Sequence, residues 1–317
     1  MAIYLGEREV EALLEMPAAI EAVETVMAAH GRGEVVDYSR QRVRLPGSVT
    51  HMLQAGVPYL NLTGFKVYTS SGGKARFWVH LFDASNGDPV AALEADRLGM
   101  MRTGAAGAVA ARWLARPDAA VVGVFGAGGQ AEGQVQALCS VFELSRVKVF
   151  ARDRERLTRF CERMTALTAC EVVPAASAEE TVRGSDIVVT VTTAAKPLFD
   201  AAWIEPGTHI NAAGSNSLAR QELSESCLRR VDLICVDARE TALREAGDLL
   251  PALEKGRTQP GRWVELGEVI AGVRPGRANT SAISLFESQG MGIQDIAVAS
   301  KVLTLARERG LGTTLPY

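Results

Sequence analysis

The hydrophobic pattern of the chain changes character near Pro117. Before that point, residues 7–31 read as an amphipathic helix, with Val10, Leu13, Leu14, Ile20, Val23, Val26 and Met27 at helical intervals and Pro17 suited to a helix start after Met16. Segments 42–45, 50–53, 64–68, 77–83 and 89–94 then alternate in side-chain character. The glycine-rich breaks Ser71-Gly72-Gly73 and Asn86-Gly87-Asp88 separate them, which predicts antiparallel hairpins in an α+β region. Over 96–114 the small-residue run from Arg102 to Arg112 predicts a helix that another backbone can approach closely, because glycine and alanine project so little.

Beyond Pro117 strand and helix patterns alternate. Apolar strands are predicted at 119–125, 147–150, 170–173, 186–191, 209–213 and 231–236, and helices follow the first three, one running to about residue 141 and the others at 154–168 and 178–183. Each strand is apolar enough to be covered on both faces. The predicted class is therefore α/β: a doubly wound parallel sheet over residues 117–294, joined to an α+β domain made of 1–116 and 295–317. The second piece of that domain comes from a periodic helix at 293–309, which returns to cover the first.

Composition narrows the function. The 317 residues are nearly half hydrophobic, and a net charge of -3 is spread over mixed-sign stretches. With no long basic block, neither nucleic acid nor an anionic membrane is expected as main partner, and a small ligand fits better. The polar opening residues lack a signal-peptide pattern and no apolar run is long enough to span a bilayer, so a cytoplasmic protein is expected. Cys139, Cys161, Cys170, Cys227 and Cys235 form no CxxC pair, which predicts buried thiols and calls for no metal.

The first βα turn of the second half, Gly126-Ala127-Gly128-Gly129-Gln130-Ala131, follows an apolar strand and opens a helix. That context makes it a dinucleotide fingerprint: Gly126 permits the tight turn, Gly128 and Gly129 let backbone N–H groups reach a pyrophosphate, and Gln130 and Ala131 begin the helix packed on the sheet. At the end of the second strand, Ala151 stands where an acid would bind the ribose of NAD, and Arg152 follows with a guanidinium suited to a 2′-phosphate. This favours NADP(H) over NAD(H), although Asp153, one place on, offers an NAD-type acid. Thr192 and Thr193 follow the fourth strand of this half, where strand ends face the ligand crevice.

In the first half, Arg40-Gln-Arg42-Val-Arg44-Leu-Pro46, Gly64-Phe-Lys66-Val-Tyr68 and Met101-Arg102-Thr-Gly-Ala-Ala106, followed by the nucleotide pattern, resemble the ornithine cyclodeaminase/μ-crystallin family. The resemblance extends to Ile210-Asn-Ala-Ala-Gly214, Glu265-Leu-Gly-Glu268-Val-Ile270 and Phe286-Glu-Ser288-Gln-Gly290-Met, so it covers nearly the whole chain. It implies a first domain that forms a homodimer through its sheet, a Rossmann-type second domain and an active site in the cleft between them. It also implies that Arg40 and Arg102 bind a substrate carboxylate and that Lys66 contacts it while polarising the reacting carbon–nitrogen centre. Arg42 replaces Arg40 if the strand register slips by two.

Where the family's cyclodeaminases carry an aspartate, this chain reads Asn216. A carboxamide cannot act as a general base, so ornithine deamination is disfavoured and Asn216 is left as a hydrogen-bonding residue of the site. The expected activity is NAD(P)H-dependent reduction of a small ketimine or cyclic imine carboxylate, or amino acid dehydrogenation. Cyclodeamination with tightly held NAD and a non-catalytic ligand-binding role are the alternatives. His51 lies near the substrate strands, where it is either a proton-exchanging group or, as is commoner for a lone histidine, a packed or surface residue, whereas His80 and His209 read as structural; Glu245 and Asp248 lie in a loop that resembles one near the cofactor cleft or caps a helix.

Overall fold

The computed structural model describes residues 1–316. The chain divides into two compact units, Met1–Arg102 with the segment from Gly290 onward, and Thr103–Gln289. The first division falls inside the small-residue helix, not after Pro117, because a helix that continues through a boundary gives no punctuation in the sequence; the chain returns to unit 1 at Gly290, just before the terminal helix begins at Gly292, instead of at residue 295.

In unit 1 the strands are β1 (Ile3–Leu5), β2 (Val36–Asp37), β3 (Gln41–Leu45), β4 (Ser48–Val57), β5 (Leu62–Ser71), β6 (Lys74–Asp83) and β7 (Pro89–Glu94). They lie in the order β1-β7-β6-β5-β4-β2, with β3 paired to β4 and the short strand Thr313–Thr314 beyond β1. Pairing is antiparallel throughout except for β1 on β7, which is parallel. The expected single helix over 7–31 is two, α1 (Glu7–Leu13) and α2 (Met16–Gly31). Pro17 has no N–H to donate, so it is accommodated in the first turn of α2 and the chain breaks before it. The terminal helix Gly292–Arg309 packs on α2, β4 and β5, burying Ile293, Ile296, Val298, Val302 and Leu303.

The helix α3 (Asp96–Leu114) leads into unit 2. There β8 (Val121–Phe125), α4 (Gly129–Val141), β9 (Arg146–Phe150), α5 (Arg154–Thr168) and β10 (Val172–Pro174) follow the expected βαβ order. They continue into β11 (Ile187–Thr190), β12 (His209–Ala212), β13 (Leu233–Val236), β14 (Val264–Glu265) and β15 (Ser284–Glu287). The sheet order is β10-β9-β8-β11-β12-β15-β13-β14, every pair parallel. Apolar clusters cover both faces, one around Val122, Val124, Leu138 and Phe160, the other around Val188, Ile210, Leu285 and Trp263. Close approach of α3 to α4 is explicit: a Cβ on Gly104 would lie 2.2 Å from the Gly133 carbonyl oxygen. The Gln134 amide then bonds the Thr103 carbonyl at 3.1 Å.

Candidate functional site

Unit 1 gathers charge in its interior. Lys66, on β5, and Arg102, on α3, are only 3% and 7% exposed, and both reach the fully buried Asp295 in the first turns of the terminal helix. Lys66 Nζ donates to Asp295 Oδ1 at 3.0 Å and Arg102 Nε to the same oxygen at 2.9 Å. A second Arg102 donor, Nη1, reaches Gln294 Oε1 at 3.1 Å. Burial, followed by the charge of Arg102, pushes the Lys66 ammonium down to about 8, against the raising pull of Asp295. The Phe77 ring lies 5.6 Å from Nζ on another side.

Arg40 is buried, and its charge depresses Lys66 further, whereas Arg42 is half-buried, pairs with His51 across β3 and β4, and acts on that histidine. The register therefore brings Arg40, not Arg42, to Lys66. His51 stacks on Tyr68 at 4.2 Å, and burial together with Arg42, Arg40 and Arg44 pushes it down to about 4, so it is neutral at pH 7. His80 stacks on Phe65 and is likewise lowered by burial.

Unit 2 presents backbone where unit 1 presents charge. Gly126 has φ +117°, and a Cβ there would meet the Val191 carbonyl oxygen at 2.9 Å. Gly128 is the extended N-cap of α4 and supplies no capping side chain, and nothing stands within 4 Å of a Cβ placed on Gly129. The helix thus begins with N–H groups that have no intrahelical acceptor and no capping side chain, an arrangement that fits the pyrophosphate of a dinucleotide. Gln130 is exposed, and Ala131 is fully buried against the sheet.

The arginines after β9 have different tasks. Arg154 donates to the Ala175 and Ala176 carbonyls, and Arg156 Nε to Ala127 at 3.0 Å, which ties α5 to the glycine loop. Asp153 is the N-cap of α5, accepting from the Arg156 N–H at 3.0 Å. Arg152 is exposed.

At the strand ends, Thr192 donates both its N–H and its hydroxyl to Glu222 Oε1, and the Gly214 N–H donates to Glu222 Oε2 at 3.0 Å. Glu222 thereby joins the loop after β11 to the loop after β12; Thr193 beside it is exposed. Asn216 Oδ1 accepts from Arg220 at 3.1 Å. Asp248 caps no helix: its Oδ1 receives the Glu222 and Leu223 N–H groups. Ser215 donates to Glu287 Oε1 at 2.6 Å. Burial pushes Glu222 up to about 7, and it raises Asp248 and, with the charge of Asp248 added, Glu287 as well. His209, bonded to Ser284 and Asn211, is held at about 4 by burial.

Sequence reasoning missed Asp295, Gln294, Glu222 and Glu287. The signal for the first two was a polar pair on the face of a terminal helix whose neighbours Ile293, Ile296 and Ala297 are buried and apolar. Among the described residues no group of three or more His, Cys, Asp or Glu could hold a metal ion, the cysteines are free, and no helix is long and apolar enough to cross a membrane.

Comparison with known proteins agrees over nearly the whole chain. Residues 3–310 match the model of the ornithine cyclodeaminase/mu-crystallin family. The alanine dehydrogenase of Archaeoglobus fulgidus is 31% identical over 99% of this chain and 98% of its own. The Delta(1)-pyrroline-2-carboxylate reductase of Bacillus cereus is 33% identical over 75% of this chain and 74% of its own. A solved structure of the Thermococcus litoralis Delta(1)-pyrroline-2-carboxylate reductase, in complex with NADH and L-proline, superposes with a TM-score of 0.94 at 30% identity, covering 99% of this chain and 100% of that one. With the glycine loop and the buried lysine–arginine–aspartate group in view, these matches show that the chain belongs to the ornithine cyclodeaminase/mu-crystallin family.

Proposed function

We propose that this protein is an NAD(P)H-dependent reductase of small imino acids, acting on a ketimine or cyclic imine carboxylate and, in reverse, as an amino acid dehydrogenase. The observation that carries the reading is Lys66, a buried ammonium held near pH 8 beside the buried guanidinium of Arg102. Asp295 offsets only part of the cost of burying two cations together, and a substrate carboxylate offsets more by forming charge-assisted hydrogen bonds to both. Arg102 and Arg40 hold that carboxylate and fix the orientation of the α-carbon, which removes part of the entropic barrier. Lys66 contacts the carboxylate and polarises the adjacent carbon–nitrogen centre, and an ammonium titrating near neutrality can also give up and recover a proton. When bound, the reduced nicotinamide supplies the hydride that the imine carbon accepts.

Gly126, Gly128, Gly129, Gln130 and Ala131 form the dinucleotide site, with Thr192 and Thr193 at the neighbouring strand end. NADP(H) is favoured over NAD(H), because Asp153 is engaged as a helix cap while Arg152 stands exposed at the end of β9. Asn216, whose amide oxygen receives Arg220, is a hydrogen-bonding residue and not a base, which disfavours cyclodeamination. A homodimer through the unit 1 sheet is supported by a groove of about 740 Å³ on it, lined by Val36, Tyr38, Val57, Leu62, Phe65 and Phe82.

The test is a screen of NADPH and NADH oxidation against pyrroline-2-carboxylate, piperideine-2-carboxylate and α-keto acids supplied with ammonia or methylamine. Oxidation with a cyclic imine carboxylate supports the reading. Release of ammonia and proline from ornithine with no added reductant, and no oxidation in the screen, overturns it in favour of a cyclodeaminase.

A further inference from the structure

Asp295 is a buried carboxylate in a place where packing alone would take an apolar side chain. Its neighbours along the terminal helix, Ile293, Ile296, Ala297, Val298 and Ala299, are all buried and apolar, and a charged group there bears a desolvation cost that a hydrophobic residue would avoid. It is fully buried, so it lies behind the surface that a ligand would meet. One of its oxygens, Oδ1, takes both Lys66 Nζ and Arg102 Nε, while Oδ2 has no hydrogen-bond partner among the described residues. A carboxylate retained at such cost, and spent through one oxygen on two cations, is arranged for those cations.

We propose that Asp295 is the positioning residue of the substrate clamp: by sharing one oxygen between Lys66 and Arg102 it fixes both cations in a single geometry and offsets part of their charge. The proposal rests on the imine-reductase reading for the roles of Lys66 and Arg102. Pairing with Asp295 lowers the positive charge of Lys66 and Arg102 without cancelling it, and leaves an excess for a substrate carboxylate to meet. The geometry follows from the donors. Of the five N–H groups of a guanidinium, Nε is given to Asp295 and one on Nη1 to Gln294 Oε1, which fixes the direction in which the remaining donors open.

Two glycines make the arrangement possible. A Cβ on Gly290, at φ +81°, would lie 2.6 Å from Arg102 Nη1, and a Cβ on Gly99 would lie 3.1 Å from Lys66 Nζ. The charged groups facing Lys66 are Arg102 from α3, Asp295 from the terminal helix and Arg40 from the segment before β3; of these only Asp295 favours the ammonium.

The test compares the full-length protein with Asp295→Asn, a near-isosteric change that removes the charge. Isotope-labelled lysine, with the Lys66 resonance identified by its loss in Lys66→Arg, gives the titration midpoint of Lys66 without substrate. In Asp295→Asn the midpoint is expected to fall by about one pH unit or more. KM for the imino acid should rise at least ~10-fold, as expected when an ion-paired clamp loses its alignment, with NADPH affinity unchanged. A fall in thermal stability with the Lys66 midpoint and KM as in the wild type marks a structural role only and overturns the proposal.

Should Asp295→Asn fail to fold, Asp295→Glu keeps the charge and displaces the shared oxygen by one methylene. KM for the imino acid should then rise at least ~10-fold with NADPH affinity unchanged, and a wild-type KM overturns the proposal. Because the midpoint is read without turnover, a wild-type protein that reduces no imino acid defeats the functional reading while Asp295 is still judged by the titration.

Discussion

The two units bury charge in opposite ways. In unit 1 the buried carboxylate of Asp295 stands between two cations, and Lys66 is displaced toward its neutral form. In unit 2 the buried carboxylates Glu222, Asp248 and Glu287 gather around the strand ends with backbone N–H groups, hydroxyls and an amide as partners, and each is displaced toward its protonated form. The first is a cluster of side chains built on one shared acid. The second is a scaffold in which acids take up N–H groups of the loops after β11 and β12, beside a turn at Gly126 that has no room for a side chain. Side-chain deletion should therefore damage unit 1 most, and side-chain addition should damage unit 2.

The largest effect is expected from Lys66→Met. Removing the group that polarises the reacting centre should lower kcat by roughly 10²–10⁴-fold, the usual range for a positioned acid–base group. The dinucleotide affinity, read by fluorescence titration, should stay at the wild-type value; a parallel loss of both would show that the variant had damaged the fold and not the clamp.

Gly126→Ala makes the complementary break. One methyl group at φ +117°, 2.9 Å from the Val191 carbonyl oxygen, strains the turn on which the glycine loop depends. Backbone strain of this kind costs about 1–3 kcal/mol, so the dinucleotide Kd should rise ~5- to 150-fold. KM for the imino acid, measured at saturating cofactor, should change little, and an equal rise in both constants would erase the contrast between the units.

The same contrast explains what the sequence disclosed. The βαβ order, the glycine turn and the small-residue helix were legible because each is a local pattern with one physical cause: burial on both faces, a left-handed φ, or close backbone approach. The strands β1 and β15 were not, since three or four residues carry too little periodicity to stand out, and β15 takes its place between β12 and β13 only through long-range pairing. Lys66 stood out through the family-like run Gly64-Phe-Lys66-Val-Tyr68. Asp295 did not, although it completes the same group, because an acid near a helix start has an ordinary explanation in the helix dipole. Arg40 and Arg42 were equivalent by alternation, and only the pairing of Arg42 with His51 and the burial of Arg40 separate them.

A pH experiment sharpens the comparison from the unit 2 side. Burial raises Glu222 from its ordinary value of 4.5 to about 7, so the folded protein binds this proton more tightly than the unfolded chain does. The resulting stabilisation is fully present below about pH 4.5 and is lost as pH rises through about 7. Glu222→Gln cannot ionise, so the stability difference between wild type and variant should drift across that window by on the order of 1–3 kcal/mol, the wild type losing ground as pH rises. Denaturant titrations at pH 5, 6, 7 and 8 measure it; a difference constant with pH would mean that Glu222 is ionised throughout, held by Thr192 and Gly214 more firmly than burial opposes.

The smallest effect is expected at the surface. Arg152 is exposed, so a contact with a 2′-phosphate is partly screened by solvent, yet Arg154 and Arg156 beside it are committed to backbone carbonyls. Arg152→Ser should lower the preference for NADPH over NADH by about 10-fold, the scale of one charge-assisted hydrogen bond, and should leave NADH affinity as it was. Arg156→Ser should behave differently, weakening both cofactors together, because Arg156 braces the carbonyl of Ala127 within the glycine loop instead of facing the ribose. If Arg152→Ser leaves the ratio of the two cofactors unchanged, the exposed arginine is a solvated helix start, and the chain discriminates between the nucleotides elsewhere or not at all.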